Sequence, residues 1–402
     1  MDVSEASIEK ICKSIRRDKD HAVQLAGKLI KCKSVNPPGD YAAVASLVRE
    51  ELGRIGLSTE TVEGAAGRIN VVGKLKGEGN GKNLCLTSHT DVVPPGNLKN
   101  WKHDPFLGEV IGDVLWGRGA ADSKGQLAAM ISATRALIDS KMKLRGDVYL
   151  SAPVDDETAG SFGLRYLFSK QSIRADAIIF GEATGFGIAY TYKARMWFRI
   201  TILGNGAHGA FPDKGTNSIE KAYTLIRAIK GLSLTSSPVL GRPTINVGTI
   251  SGGLQPNLVP ESCVCSFDVR WGPPLSAEEV KASIISLIKR LEKRDKTFRV
   301  DALEVTEIRD PFLLPKGMDI IRAIRQSGRL LLRKNLPLIG WYSSGDIYHV
   351  IKNGNAKEGV IFGPGIPWMA HAPNECIRVE DLGMGAELYA ASAAAYCQQE
   401  TN

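Results

Sequence analysis

The 402-residue chain contains no C-x-x-C pair, no G-x-S-x-G elbow and no G-x-x-x-x-G-K-[ST] loop. Zinc-finger, serine-hydrolase and NTPase chemistry therefore each lack their minimal residues. No apolar run approaches the ~20 residues of a membrane span, and the N-terminal segment is charged and helix-patterned without an apolar signal-peptide core. A cytoplasmic protein with no membrane partner is expected. Cysteine is sparse: seven residues, an odd number, are scattered along the chain, and the closest pair, Cys263 and Cys265, has strand rather than metal-knuckle spacing. Reduced, mostly buried thiols follow. There is no internal repeat and no low-complexity tract.

The chain does have enough apolar material, 43% of residues, for a large core and, by length, about two domains. Its formal charge of +8 comes from lysines and arginines spread along the chain and interleaved with acids, as in residues 281–296. That pattern fits solvated faces and not a nucleic-acid footprint, while leaving some positive charge for an anionic small substrate.

Strand-like and helix-like segments alternate. Helical patterning over residues 4–31 and again to about 55 brackets an Asn36-Pro37-Pro38-Gly39 turn. Strand patterns at 69–75, 84–88, 147–152 and 175–180 alternate with helix patterns at 125–140 and 162–169, which favours an α/β fold with a helix-flanked, mostly parallel sheet. Between 188 and 300 the rhythm changes. Strands at 197–203, 244–250 and 263–271, with helices at 218–230 and 276–293, fit a strand-helix-strand-strand-helix-strand, ferredoxin-like α+β insertion. Residues 1–187 and 301–402 are then two parts of one catalytic domain, the second with helices at 318–333 and 379–397 and short strands near 336 and 360.

Five short segments carry the chemistry. His89 and Asp91 follow an apolar strand, and a two-residue step puts both side chains on one side. His89 can then bind a metal while Asp91 fixes its ring, although a core histidine gives the same pattern. Asp122 lies between Gly117, Gly119 and Gly125, where the backbone can turn sharply; a helix N-cap is the alternative. Asp155, Asp156 and Glu157 are consecutive acids after an apolar strand, either a solvated loop or a costly cluster needing a cation. Glu182 follows another apolar run, and His371 sits in Ala370-His371-Ala372-Pro373-Asn374-Glu375. Together these residues supply enough nitrogen and oxygen ligands for two divalent ions about 3.5–4 Å apart with a shared carboxylate. The segment 204–209 satisfies G-x-G-x-x-G after a strand, but Pro212 and Gly215 interrupt the helix a dinucleotide site needs.

In order and wording, these segments resemble the M20 family of metallopeptidases and amidohydrolases, which includes acetylornithine deacetylases, succinyl-diaminopimelate desuccinylases, aminoacylases and glutamate-type carboxypeptidases. The resemblance runs from Ser34-Val35-Asn36-Pro37-Pro38-Gly39 to the His371 segment. It implies that His89 and Glu182 hold one metal, Glu157 and His371 the other, and Asp122 both, with Asp91 orienting His89 and the Asp122–Ser123 peptide bond cis. Zn2+ is the implied metal, with Co2+ or Mn2+ as substitutes. Asp156 occupies the position of the general base, where the family usually has glutamate. In Gly206-Ala207-His208-Gly209, His208 looks like the histidine that reaches the partner subunit's active site in a homodimer formed through the inserted domain, and Asn257 and Arg270 look like substrate contacts. Without the resemblance, His208 could simply close a turn and Arg270 could be a solvated strand residue. Tyr342, Ser343, Ser344 and Asp346 are further candidates for shaping the substrate pocket. The implied reaction is amide hydrolysis of an N-acyl amino acid, with exopeptidase or dipeptidase activity as the alternative; aspartate in place of glutamate at 156 also raises a non-catalytic metal-bound binding protein.

Overall fold

The computed structural model describes residues 4–18, 20–158, 161–343 and 345–400. The chain divides into two compact units, one comprising Met1–Tyr190, Leu314–Ile339 and Gly345–Asn402, the other Thr191–Leu313 and Gly340–Ser344.

The first unit is built on a twisted sheet whose spatial order is Ser58–Glu63, Ile69–Leu75, Val148–Ala152, Leu84–Thr87, Ala177–Phe180, Glu358–Ile361 and Ile188–Tyr192. Its four middle strands, Val148–Ala152 through Glu358–Ile361, are mutually parallel, and antiparallel strands flank them. The middle strands read as short continuous apolar runs and are almost wholly buried, as expected where helices cover both faces. Helices Lys124–Asp139 and Val379–Cys397 pack on each other and on Glu5–Arg17 and His21–Lys31, burying a layer of alanine, leucine and isoleucine. Parallel strands share one carboxyl edge. The residues just after Thr87, Ala152 and Phe180 therefore emerge at the same edge of the sheet, where open α/β folds place their ligand sites.

One expectation is corrected in this unit, and one strand is added to it. Residues 4–31 do not form one helix: the first ends at Arg17, and Asp18 leaves helical dihedrals at φ −121°, ψ 53°. The edge strand Ser58–Glu63 was missed because its sequence, Ser-Thr-Glu-Thr-Val-Glu, is almost entirely exposed and has little apolar signal.

The second unit places strands Ala194–Leu203, Thr244–Gly252, Ser262–Trp271 and Arg299–Arg309 in an antiparallel sheet with the order 244–252, 262–271, 194–203, 299–309. With helices Ser218–Lys230 and Ala277–Arg294 as its two crossovers, this is the ferredoxin-like arrangement. Alternate residues of Ala194–Leu203 and Ser262–Trp271 face the helices, and Phe198 and Phe267 stack there with ring centroids 5.0 Å apart. The insertion does not end at 300. Arg299–Arg309 pairs along its length with Ala194–Leu203 and supplies the fourth strand, so the unit continues to Leu313. Tyr342 and Ser343 also belong to this unit and not to the larger one, and Ser344 lies outside the described residues.

All seven cysteines are free. Among the described residues no helix is long and apolar enough to cross a membrane.

Truncating one ring of the stacked pair tests the core of the second unit. Phe198→Ala is expected to destabilise it by about 3–5 kcal/mol, read from a lowered denaturant midpoint with the first unit's transition unmoved; a cost below about 1 kcal/mol would contradict the burial described.

Candidate metal centre

Three strand ends deliver His89, Glu157 and Glu182, and two loops deliver Asp122 and His371. Leu84–Thr87 runs directly into His89, which is 1% exposed. Its Nδ1 lies 3.0 Å from the Asp91 main-chain carbonyl, which can only accept a hydrogen bond, so Nδ1 carries a proton and Nε2 faces the carboxylates. The Asp91 carboxylate is farther from that nitrogen, at 3.4 Å. Most of what it binds lies elsewhere: it accepts hydrogen bonds from Asn36 Nδ2 at 2.9 Å, Glu157 N at 3.1 Å and Asp156 N at 3.3 Å. One buried carboxylate thus anchors both the histidine turn and the acidic turn after Val148–Ala152. That second turn is formed with Asp155 at φ 72°, a left-handed conformation that aspartate tolerates better than most residues. The Asp155 carboxylate points away from the centre, accepting from Asn36 and Thr158.

Asp122 sits in the tight loop ahead of helix Lys124–Asp139. Gly119 at φ 94° makes the turn possible, and the Asp122–Ser123 peptide is cis. The N-cap position belongs to Ser123, so Asp122 is not a helix cap. His371 also adopts a left-handed conformation, φ 64°, in the loop between Pro367–Met369 and Cys376–Arg378.

The five side chains converge. His89, Asp122 and Glu182 form one group and Asp122, Glu157 and His371 another, with the ligand atoms of each group within 4.8 Å of one another. His89 Nε2 is 3.0 Å from Asp122 Oδ1 and 3.5 Å from Glu182 Oε1. His371 Nε2 is 3.3 Å from Asp122 Oδ2 and 3.1 Å from Glu157 Oε2. Metal–nitrogen and metal–oxygen bonds of ~2.0–2.2 Å in a tetrahedral site put neighbouring ligand atoms ~3.4 Å apart, so these separations fit two cations sharing Asp122.

Electrostatics point the same way. Burial and the negative Asp122 push the Glu157 carboxyl up to about 7 and the Glu182 carboxyl up to about 8. Burial would raise Asp122 as well, but hydrogen bonds from His371 and His89 outweigh it and hold Asp122 well below the usual carboxylate range. Hydrogen bonds to Asp122 and Glu157 lift His371 to about 11. Burial disfavours a charged His89, yet its carboxylate neighbours raise it well above its ordinary value. Three buried carboxylates crowded together require positive charge, supplied here by protons and equally by cations. Asp156 stands at the rim, partly buried, with Oδ1 accepting from Asp346 N at 3.1 Å.

The residues singled out in the second unit lie in two places. His208 is exposed, and its Nδ1 accepts from Ala210 N at 3.0 Å. Its strand segment bridges Leu258, and Gly209 N donates to the Asn257 carbonyl at 2.8 Å, so the His208 and Asn257 loops lie side by side. Arg270 is held by Asp268 through hydrogen bonds of 3.0–3.2 Å, so an anionic ligand there would compete with a resident carboxylate. The glycine-rich segment leads into a single 3-10 turn, Pro212–Lys214, and no α-helix begins before Ser218, which removes the dinucleotide reading.

Sequence reasoning assigned no role to Asn36, Arg118 or Glu375, all buried and all hydrogen-bonded to the loops that carry the five residues. Asn36 and Glu375 lie inside quoted motifs and Arg118 between Gly117 and Gly119, but their partners are remote in sequence.

The model of "Peptidase family M20/M25/M40" matches residues 85–395. Succinyl-diaminopimelate desuccinylase of Buchnera aphidicola subsp. Acyrthosiphon pisum (strain APS) is 28% identical over 381 residues, covering 91% of this chain and 96% of that protein. Among solved structures, an M20 family metallo-carboxypeptidase from Sulfolobus solfataricus superposes with a TM-score of 0.79 at 18% identity, covering 94% of this chain and 99% of the other. Human carnosine dipeptidase 1 superposes with a TM-score of 0.78 at 17% identity, covering 99% and 100%. At such identities the structural likeness shows the fold alone, whereas the family match spans the segments that carry every residue of the two groups: the chain belongs to the M20/M25/M40 peptidase family and is a metal-dependent hydrolase.

Proposed function

We propose that the chain cleaves the amide bond of an N-acyl amino acid with two divalent cations, as a deacylase of the desuccinylase or deacetylase type. The observation that carries this reading is the sharing of Asp122 between two groups of ligand atoms. His89 and Glu182 hold one ion, Glu157 and His371 the other, and Asp122 both. The mixed nitrogen and oxygen set suits Zn2+ best, with Co2+ or Mn2+ as substitutes. The bound pair supplies Lewis acidity to the scissile carbonyl and lowers the pKa of water.

The chain's own groups do the rest. Asp156 takes the proton from the attacking water and returns it to the departing amine. The N–H of Asp346 orients its carboxylate, and the Asp91 carboxylate holds its backbone in place. Asp91 also fixes His89 through its main-chain carbonyl. His208 stabilises the oxyanion, acting in the active site of the other subunit of a homodimer formed through the inserted unit, with Asn257 and Arg270 contacting substrate. Support for such a dimer comes from the outer strand Thr244–Gly252, an open sheet edge on which Ile250 is 53% exposed. The seven free cysteines support a cytoplasmic setting.

A panel of N-succinyl and N-acetyl amino acids and dipeptides, run with each metal, tests the assignment. Turnover of the acylated amino acids is expected; cleavage of dipeptides alone would make the enzyme an exopeptidase, and inertness with two ions bound would make it a binding protein. On the favoured substrate, Asp156→Glu should keep or raise kcat, whereas Asp156→Asn should lower it by about 10²–10⁴-fold. Equal collapse of both variants would contradict the role given to that carboxylate.

Metal affinity should climb with pH. Protons on Glu157, Glu182 and His371, which burial, Asp122 and hydrogen bonding push up to about 7, 8 and 11, compete with the cations, and raising the pH removes them. Titration calorimetry should show proton release on binding and weaker binding at pH 6 than at pH 8; a pH-independent affinity would refute this ligand set.

A further inference from the structure

Beside the two groups lies a buried ion pair that meets them only through the main chain of Asp122 and His371. Arg118, 1% exposed, donates from Nη1 to Glu375 Oε2 at 2.6 Å, and Glu375 is completely buried. The other oxygen of Glu375 accepts three main-chain N–H groups in succession, from Gly119 at 3.1 Å, Ala121 at 3.0 Å and Asp122 at 2.9 Å. Arg118 Nη2 donates to the His371 carbonyl at 3.1 Å. Gly117 N, in turn, donates to the Glu375 carbonyl at 2.9 Å.

Burying two charges is costly, and a hydrophobic pair of the same volume would often be at least as stable. An ion pair does something an apolar pair cannot. Its oxygens and nitrogens meet main-chain groups at fixed distances and directions: those of Gly119, Ala121 and Asp122 in one loop, that of His371 in the other and, at a longer 3.5 Å, the Pro94 carbonyl. Glu375 is four residues beyond His371, and Arg118 four residues before Asp122. Each loop thus supplies one charge that grips the other loop.

We propose that Arg118 and Glu375 are positioning residues that set the spacing between Asp122 and His371, and so govern occupancy of the cation position formed by Asp122, Glu157 and His371. This rests on the two-cation reading. Two of that position's three ligands depend on the clamp, whereas of His89, Asp122 and Glu182 only Asp122 does. Loss of the clamp therefore weakens one cation more than the other.

The test is Co2+ titration of the full-length chain, followed by calorimetry and visible absorption, for wild type, Arg118→Lys and Glu375→Gln. Arg118→Lys keeps the charge opposite Glu375 but loses the fork that also reaches the His371 carbonyl. Wild type is expected to bind two ions. Arg118→Lys should bind one ion as wild type does and the second about 10- to 100-fold more weakly, with an altered cobalt spectrum. Circular dichroism and melting of the metal-free proteins separate this from misfolding. Wild-type-like binding of both ions by the folded variants would overturn the clamp while leaving the two-cation reading intact; a wild type that binds fewer than two ions would instead refute that reading. Amide exchange on metal-free wild type needs no variant: the N–H groups of Gly119, Ala121 and Asp122 should be protected, and free exchange there overturns the proposal.

Discussion

Crowding of carboxylates around Asp122 is the constraint on which the rest of the site depends. Asp122 faces His89 with one oxygen and His371 with the other, and Glu157 and Glu182 stand on either side, in surroundings with little water to screen them. Such an arrangement is unfavourable unless positive charge is drawn into it. The tautomer imposed on His89 by the Asp91 carbonyl, the left-handed turns at Asp155 and His371, and the hydrogen bonds around Glu375 all hold the donors facing one another.

The parallel centre of the larger sheet makes that convergence possible. Because Val148–Ala152, Leu84–Thr87 and Ala177–Phe180 run the same way, His89, Glu157 and Glu182 leave the sheet at one edge although they are scattered over about a quarter of the chain. Asp122 and His371 come from loops, and loops need more support than strand ends. Glu375, with Arg118 beside it, provides that support. The smaller unit has a separate core, made by the apolar faces of its antiparallel strands and two helices.

The five ligand candidates stand out in the sequence as polar residues just after an apolar run or inside a glycine-rich turn, but each such signal also fits a core histidine, a helix cap or a solvated loop, and their pairing around two ions came from the family resemblance. The ferredoxin-like order of the insertion was legible too, but not its end. Arg299–Arg309 alternates charged and apolar residues, and only its ladder to Ala194–Leu203 assigns it to the smaller sheet. The Arg118–Glu375 pair was illegible, since a contact between residues 257 positions apart leaves no periodic trace.

The residue types on offer, the alternation of strands and helices and the order of the motifs can all be read along the chain, since they depend on neighbours in sequence. The folded chain was needed to bring Asp122 within reach of both groups of ligand atoms, to show that Asp91 grips His89 mainly through its carbonyl and to give Arg270 a partner in Asp268. Those outcomes depend on distances across the fold, and hydrogen bonds and charge interactions change within an ångström.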